Sequence, residues 1–120
     1  MDQVRQIYEN EVRAARLFDL GKLEGAVAAP FQHVFGVELY PTIVQKAAKL
    51  WEGIARVHGY ADGNKRLAWL TMVTFLQLNG LVLYEMSDVI AAKITDELTA
   101  GLMTEHQAVE WLNDRIVSLI

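Results

Sequence analysis

Residues 58–80 read HGYADGNKRLAWLTMVTFLQLNG. Beyond the first turn of the helix predicted over 64–79, this run is apolar on nearly every side of the helix. It ends at Asn79-Gly80, a common helix stop. The segment 67–84 is near the length of a membrane span, but Thr71, Thr74, Gln77 and Asn79-Gly80 interrupt it. A helix without a solvated face belongs at the centre of a bundle, so the sequence predicts a buried central helix.

Helical periodicity continues on both sides of this segment, and strand signals are nearly absent. Five further helices are predicted, and they cover residues 2–18, 22–29, 41–58, about 87–101 and 104–119. The stretch 31–40 has no clean period and is predicted to be an irregular loop, while residues 82–84 suit a brief extended piece. The fold class expected is all-α, a compact bundle of about six helices around the central one.

The helical period also predicts which side chains face the core. In the first helix the apolar stripe extends to Phe18, and in the last it extends through Ile116 to Leu119. His58 lies four residues after Ile54 and seven after Trp51, so it continues the apolar face of its helix. We therefore expect the His58 side chain to point inward.

Composition limits the possible classes of protein. The 120 residues suit a single domain over 1–120, and the net charge of −4 argues against direct nucleic-acid binding. The N-terminus lacks the features of a signal peptide, so a cytoplasmic protein with no membrane association is expected. The hydrophobic content of 52% is high for a small domain. It indicates either an unusually apolar core or a surface that a partner covers.

The N-terminus of the predicted central helix has the composition of an anion site. Free N–H groups and the positive end of the helix dipole favour an anion there. Gly63 allows close approach to a ligand, Asn64 can cap the helix or donate its amide, and Lys65 and Arg66 add two cations. Cations are unfavourable in a first helical turn, so their presence here indicates a bound anion.

Two further residues complete a set of groups that suits phosphoryl or nucleotidyl transfer. Asp62 can hold a magnesium ion that bridges phosphates. His58 can exchange a proton near neutral pH. Taken singly, each residue has a structural alternative: a core histidine for His58, a turn for Asp62-Gly63, a solvated pair for Lys65-Arg66. The functional interpretation depends on their convergence within nine residues.

Other catalytic signatures are missing from the sequence. His33 and His106 have no ligand-like spacing to His58, and both are interpreted as incidental. There is no P-loop, no GxSxG elbow and no Rossmann fingerprint. The segment 58–66 is therefore the one candidate active site.

This segment resembles the signature of the Fic/Doc superfamily. The shared residues are His58, Tyr60, Asp62, Gly63, Asn64 and Arg66. The aromatic residue is usually phenylalanine, so Tyr60 is a mild departure. Residues 19–26, Tyr40-Pro41 and Asn79-Gly80 are also similar to Doc proteins, and the resemblance covers roughly residues 19–101.

The resemblance implies a reaction and a role for each signature residue. Doc-type members have lysine where AMP-transferring members have glycine, and this chain has Lys65. It implies a protein kinase that uses ATP and Mg²⁺, with elongation factor Tu as the target class. His58 would take the proton of the target hydroxyl and Asp62 would hold magnesium. Gly63 and Asn64 would form the anion hole, and Lys65 and Arg66 would bind phosphates.

The resemblance also bears on how such an enzyme would be controlled. Many Fic enzymes carry an inhibitory Ser/Thr-x-x-x-Glu-Gly/Asn motif, and no segment of this sequence matches it. The expected partner is therefore a separate antitoxin protein, as in a toxin–antitoxin module. Two alternatives are an AMP transferase and a catalytically silent Fic-like domain that only binds a partner.

Overall fold

The computed structural model describes residues 1–119 as a helical protein with two small antiparallel sheets. The six α-helices are α1 (Asp2–Ile7), α2 (Leu20–Ala28), α3 (Ile43–Val57), α4 (Asn64–Leu78), α5 (Asp88–Thr99) and α6 (Glu105–Asn113). A π-helical turn (Tyr8–Val12) extends α1, and a 3₁₀ turn (Ala29–Phe31) follows α2. The four short strands are β1 (His33–Val34), β2 (Val37–Glu38), β3 (Leu81–Leu83) and β4 (Ile116–Ser118). The all-α bundle of about six helices is confirmed.

Side-chain caps fix where most of the helices begin. Thr42 and Thr104 each form a capping box with a glutamine three residues later, which satisfies two backbone donors at each helix start. Ser87 accepts the backbone N–H of Ile90, and Asp19 caps α2. Pro41 lies just before the Thr42 cap instead of inside the helix.

The core lies between α3 and α4, which pack along their whole lengths. Trp51 and Ile54 of α3 and Leu67, Met72 and Leu76 of α4 are completely buried. However, α4 is only partly surrounded, since Gln77 and Leu78 at its C-terminal end are exposed. The prediction of a helix buried on every side was wrong there, because α4 shares the core with α3, whose Trp51 and Ile54 are equally buried.

The three tryptophans form one cluster across α3, α4 and α6. The ring of Trp51 lies 5.6 Å from that of Trp69 and 5.8 Å from that of Trp111, measured between centroids. The buried Trp51 donates its indole N–H to Thr95 Oγ1 at 3.1 Å, so its polar atom is satisfied inside the core. This contact joins α5 to the centre of the fold.

The first helix is much shorter than predicted. Its α-helical part ends at Ile7 and its π-helical turn at Val12, where Arg13 adopts a left-handed conformation with φ 47°. The chain then runs in an extended form, and Phe18, predicted to face the core, is 68% exposed. The reason is tertiary: residues 16–19 hydrogen-bond to the backbone of residues 59–61, a pairing that a helix could not make.

The C-terminal end of the last predicted helix also differs from the prediction. The helix begins at the Thr104 cap as expected, but it ends at Asn113, and Ile116–Ser118 form β4. This strand pairs antiparallel with β3, the extended piece predicted near residues 82–84. Ile116 is therefore only half-buried, and Leu119 is exposed. In this segment, backbone hydrogen bonds to β3 take the place of the helical hydrogen bonds that the sequence periodicity predicted.

The stretch 31–40, predicted to be irregular, contains the hairpin β1–β2. Phe35 and Gly36 form its two-residue turn, both with positive φ, as tight hairpins require.

No helix among the described residues is long and apolar enough to cross a membrane.

Candidate active site

His58 lies at the C-terminal end of α3 with its side chain exposed to solvent. The prediction that it points inward was wrong, because the residue leaves the helical path. Its backbone is left-handed, with φ 52° and ψ 50°, and this conformation ends the helix and turns the side chain off the apolar face. The imidazole is therefore accessible to a substrate from solvent.

The loop after His58 is held as a strand against the N-terminal segment. The Gly59 carbonyl accepts the backbone N–H groups of Phe18 and Asp19, both at 2.8 Å. The Ala61 N–H donates to the Arg16 carbonyl at 3.2 Å. A Cβ on Gly59 would lie 2.8 Å from the Leu23 Cβ of α2, so only glycine fits there. These contacts fix the path of the loop on both sides of Tyr60.

Tyr8 fastens the same loop from the other side. Its ring stacks on that of Tyr60, with centroids 3.4 Å apart, and both rings are almost fully buried. The Tyr8 hydroxyl donates to the Asp62 carbonyl at 2.9 Å and accepts the Ala15 N–H at 2.7 Å. Burial raises the pKa of the Tyr60 hydroxyl, although a hydrogen bond from Arg5 acts in the opposite direction. Tyr60 is thus a structural anchor of the loop.

Removing the Tyr8 hydroxyl tests this attachment. We expect Tyr8→Phe to keep the stacked rings but to lower the free energy of unfolding by about 1–3 kcal/mol, because two backbone groups lose their partner. Urea unfolding measures the change. The control is Tyr84→Phe, whose hydroxyl makes one exposed hydrogen bond to the Asp114 carbonyl. Equal losses in the two variants would contradict the special role of Tyr8.

Asn64, the first residue of α4, clamps the loop with its side chain. Its Oδ1 accepts the Tyr60 N–H at 2.9 Å, and its Nδ2 donates to the Tyr60 carbonyl at 2.8 Å. The side chain is buried, and both of its polar atoms are used in this way. The side chain thus holds the loop, while the backbone N–H of Asn64 lies at the start of α4 as a further donor.

Gly63 precedes α4 in a left-handed conformation, with φ 80°. A Cβ at this position would lie 2.5 Å from Val12 Cγ1 and 3.1 Å from the Ala14 Cβ. The glycine is thus required for packing against the N-terminal segment, a reason that sequence analysis had not identified. No side chain of the described residues caps the start of α4, so the first N–H groups have no side-chain acceptor and an anion can serve as one.

The two cations of the signature lie on the surface in the first turn of α4. Lys65 Nζ lies 2.9 Å from Asp96 Oδ1 of α5 in an exposed ion pair. Such a pair contributes at most about 1 kcal/mol to stability, so Lys65 can exchange this partner for a phosphate. Arg66 is exposed on the same turn.

Asp62 presents an exposed carboxylate at the start of the site. Its Oδ1 accepts the Gly63 N–H at 2.8 Å. Residues 1–119 hold no group of three or more histidine, cysteine, aspartate or glutamate side chains that could bind a metal on their own. A single carboxylate nevertheless fits magnesium, which is usually held by one or two carboxylates together with substrate phosphates and water.

The two remaining histidines lie outside this group of residues. His33 is in the hairpin and shares a hydrogen bond with the Phe31 carbonyl. His106 is in α6 and pairs with Glu110. Asp62, Lys65 and Arg66 lie at the start of α4, and His58 lies at the end of α3, where the connecting loop begins. The structure adds three residues to the site, namely Tyr8, Val12 and Asp96. They lie 31 to 54 residues along the chain from the signature positions that they contact, and no sequence pattern indicated these contacts.

Comparison with known proteins gives two matches. A family model described as the Fic/DOC family matches residues 2–76, which include the whole candidate site. Toxin Doc from Mycolicibacterium smegmatis (strain ATCC 700084 / mc(2)155) is 48% identical over 71 residues. The matched region is 59% of this chain and 55% of that relative, so the similarity spans about half of the relative's length.

Proposed function

This chain belongs to the Fic/DOC family, and we propose that it is a Doc-type toxin that transfers the γ-phosphoryl group of ATP to a protein hydroxyl. The observation that carries the proposal is the start of α4. Uncapped N–H groups and the cations Lys65 and Arg66 lie there, and the loop that leads into the helix begins at an exposed His58. A proton acceptor beside a preorganised anion site is what phosphoryl transfer requires.

The proposed reaction assigns each group one task. His58 takes the proton of the target hydroxyl, whose oxygen forms the new bond to the γ-phosphorus while the bond to the ADP oxygen breaks. Lys65, Arg66 and the N–H groups of α4 hold the phosphate oxygens as negative charge shifts toward the leaving group. Asp62 would hold a magnesium ion, which neutralises phosphate charge when it is bound.

Transfer of phosphate, as opposed to AMP, is supported by Lys65. A lysine side chain occupies the position at which the AMP-transferring members of the Fic/Doc superfamily have glycine. The lysine side chain fills space that the nucleotide would need in the orientation for AMP transfer. Its ammonium group can pair with the phosphates in the orientation for phosphate transfer. Its present partner, Asp96, is exposed and weakly held, so the ammonium group can turn to a nucleotide.

The target and the partner follow from the same family resemblance. We propose elongation factor Tu as the protein substrate and a separate antitoxin as the inhibitor. The name of the relative, Toxin Doc, supports an assignment to a toxin–antitoxin module. The exposed apolar residues of the hairpin, which include Phe35 and Val37, offer a surface for a protein partner.

The position of the transferred label tests the reaction. We expect purified protein, with elongation factor Tu and Mg²⁺, to transfer label from γ-labelled ATP and none from α-labelled ATP. Label from the α-phosphate would instead assign the chain to AMP transfer and overturn the argument from Lys65. Label from neither position would overturn elongation factor Tu as the target.

A further inference from the structure

The extended segment that pairs with the loop after His58 presents two large side chains to solvent. Leu17 pairs with Tyr60 in an antiparallel bridge, and its side chain is half-buried. Arg16 and Phe18 flank it, and they share the opposite face because neighbouring side chains of an extended chain alternate between faces. Both residues are exposed. A cation and an aromatic ring therefore lie side by side on this surface.

Backbone hydrogen bonds fix this surface next to the proposed base. Phe18 donates its N–H to the Gly59 carbonyl at 2.8 Å, and Gly59 directly follows His58. The Arg16 carbonyl accepts the N–H of Ala61 from the same loop at 3.2 Å. Paired residues of antiparallel strands have Cα atoms about 5.5 Å apart. A protein that brings a hydroxyl group to His58 therefore comes within reach of both exposed side chains.

The guanidinium group of Arg16 has no charged partner within residues 1–119, since it takes part in none of their ion pairs. The carboxylates of the same two segments, Asp19 and Asp62, each accept a backbone N–H from a residue close by in the chain. An unpaired guanidinium group favours a carboxylate on a binding partner, because it can form two parallel hydrogen bonds with it. Arginine and large aromatic residues are also enriched among the residues that dominate binding energy in protein interfaces.

We propose that Arg16 and Phe18 recognise the protein substrate, and that this substrate carries an acidic and an apolar side chain close to the modified hydroxyl. The inference rests on the proposed function, since it assumes that a protein hydroxyl reaches His58. The position beside His58 favours the substrate over an inhibitor as the occupant, because only the substrate must place an atom at that residue. The surface gives the enzyme a means of selecting its target that the signature segment does not contain.

Reversal of the charge at position 16 tests the electrostatic part of this recognition. Initial rates of label transfer from γ-labelled ATP to elongation factor Tu give kcat and the KM for each substrate. We expect Arg16→Glu to raise the KM for elongation factor Tu about tenfold and to leave kcat and the KM for ATP unchanged. Arg16→Lys keeps the charge and should restore most of the affinity. The matched control is Lys93→Glu, which reverses an exposed and likewise unpaired cation of α5 and should change none of these constants.

Removal of the exposed ring tests the apolar part. Phe18→Ser should also raise the KM for elongation factor Tu about tenfold, and it should leave the KM for ATP unchanged. The matched control is Leu78→Ser, at a residue that is 79% exposed. Leu78 ends α4, on the order of 20 Å from the start of that helix. This control should behave as the unmodified protein does.

Three other results would each overturn the inference. A raised KM for ATP together with an unchanged KM for elongation factor Tu would assign Arg16 to the nucleotide instead. Unchanged constants in folded Arg16→Glu and Phe18→Ser proteins would leave this surface to another partner, such as an inhibitor, with the proposed function intact. Absence of transfer by the unmodified protein would contradict the proposed function before any variant is compared, and the inference would fail with it.

Discussion

His58→Ala should reduce phosphoryl transfer by about 10²- to 10⁴-fold, the usual cost of removing a general base. The expected loss is chemical, since His58 is exposed. Transfer of label from ATP to the protein substrate measures it in solution. Cells that express the variant should correspondingly grow without inhibition.

The left-handed backbone at position 58 calls for a second variant. His58→Asn keeps a residue that tolerates this conformation but cannot accept the proton, so it should be as inactive as His58→Ala and should fold as stably as the unmodified chain. The matched control is His106→Ala, which removes an exposed histidine from α6. Growth inhibition that survives in the two His58 variants would contradict an enzymatic toxin and favour a silent binding domain.

Gly63→Ala should be the most destabilising small substitution in the site. Its new Cβ would lie 2.5 Å from Val12 Cγ1 and 3.3 Å from Tyr8 Cε2. Overpacking of this kind costs about 1–3 kcal/mol, and a left-handed alanine adds roughly 1–2 kcal/mol. The sum is a large share of the ~5–15 kcal/mol that stabilises a typical domain. Denaturant unfolding should therefore show a strongly lowered midpoint.

A double-mutant cycle separates the two contributions. Val12→Ala removes the atom nearest to the new Cβ, so it should restore part of the stability lost in Gly63→Ala, although Val12→Ala alone is destabilising. The backbone contribution should remain, because φ at position 63 does not change. Strictly additive effects of the two substitutions would show that Val12 does not contact this position in solution.

Phosphoryl-transfer activity should change with the Gly63 and Val12 substitutions in the same way as stability. Gly63 joins the loop that carries His58 to the N–H groups of α4, so a displaced loop also displaces the anion site relative to the base. We expect activity to recover partly in the double variant, in parallel with stability. Full stability without activity would instead indicate that the Gly63 backbone itself contacts a ligand.

The sequence by itself determined the helical class and the location of the candidate site. The helical period of α3 and α4 and the caps at Ser87 and Thr104 are local features, and local hydrogen bonds and hydrophobic spacing decide them. The convergence of His58, Asp62, Lys65 and Arg66 was also readable, because these residues are adjacent in the chain and lie at one helix start.

Only the tertiary structure decided how these residues are presented. The period of α3 placed His58 in the core, yet a left-handed residue at the helix end turns it to solvent. The N-terminal segment leaves its helix because residues 16–19 pair with the signature loop, and Ile116–Ser118 leave theirs to pair with β3. Such pairings join residues more than 30 positions apart, and their energy depends on where the rest of the chain has packed, which periodicity cannot report.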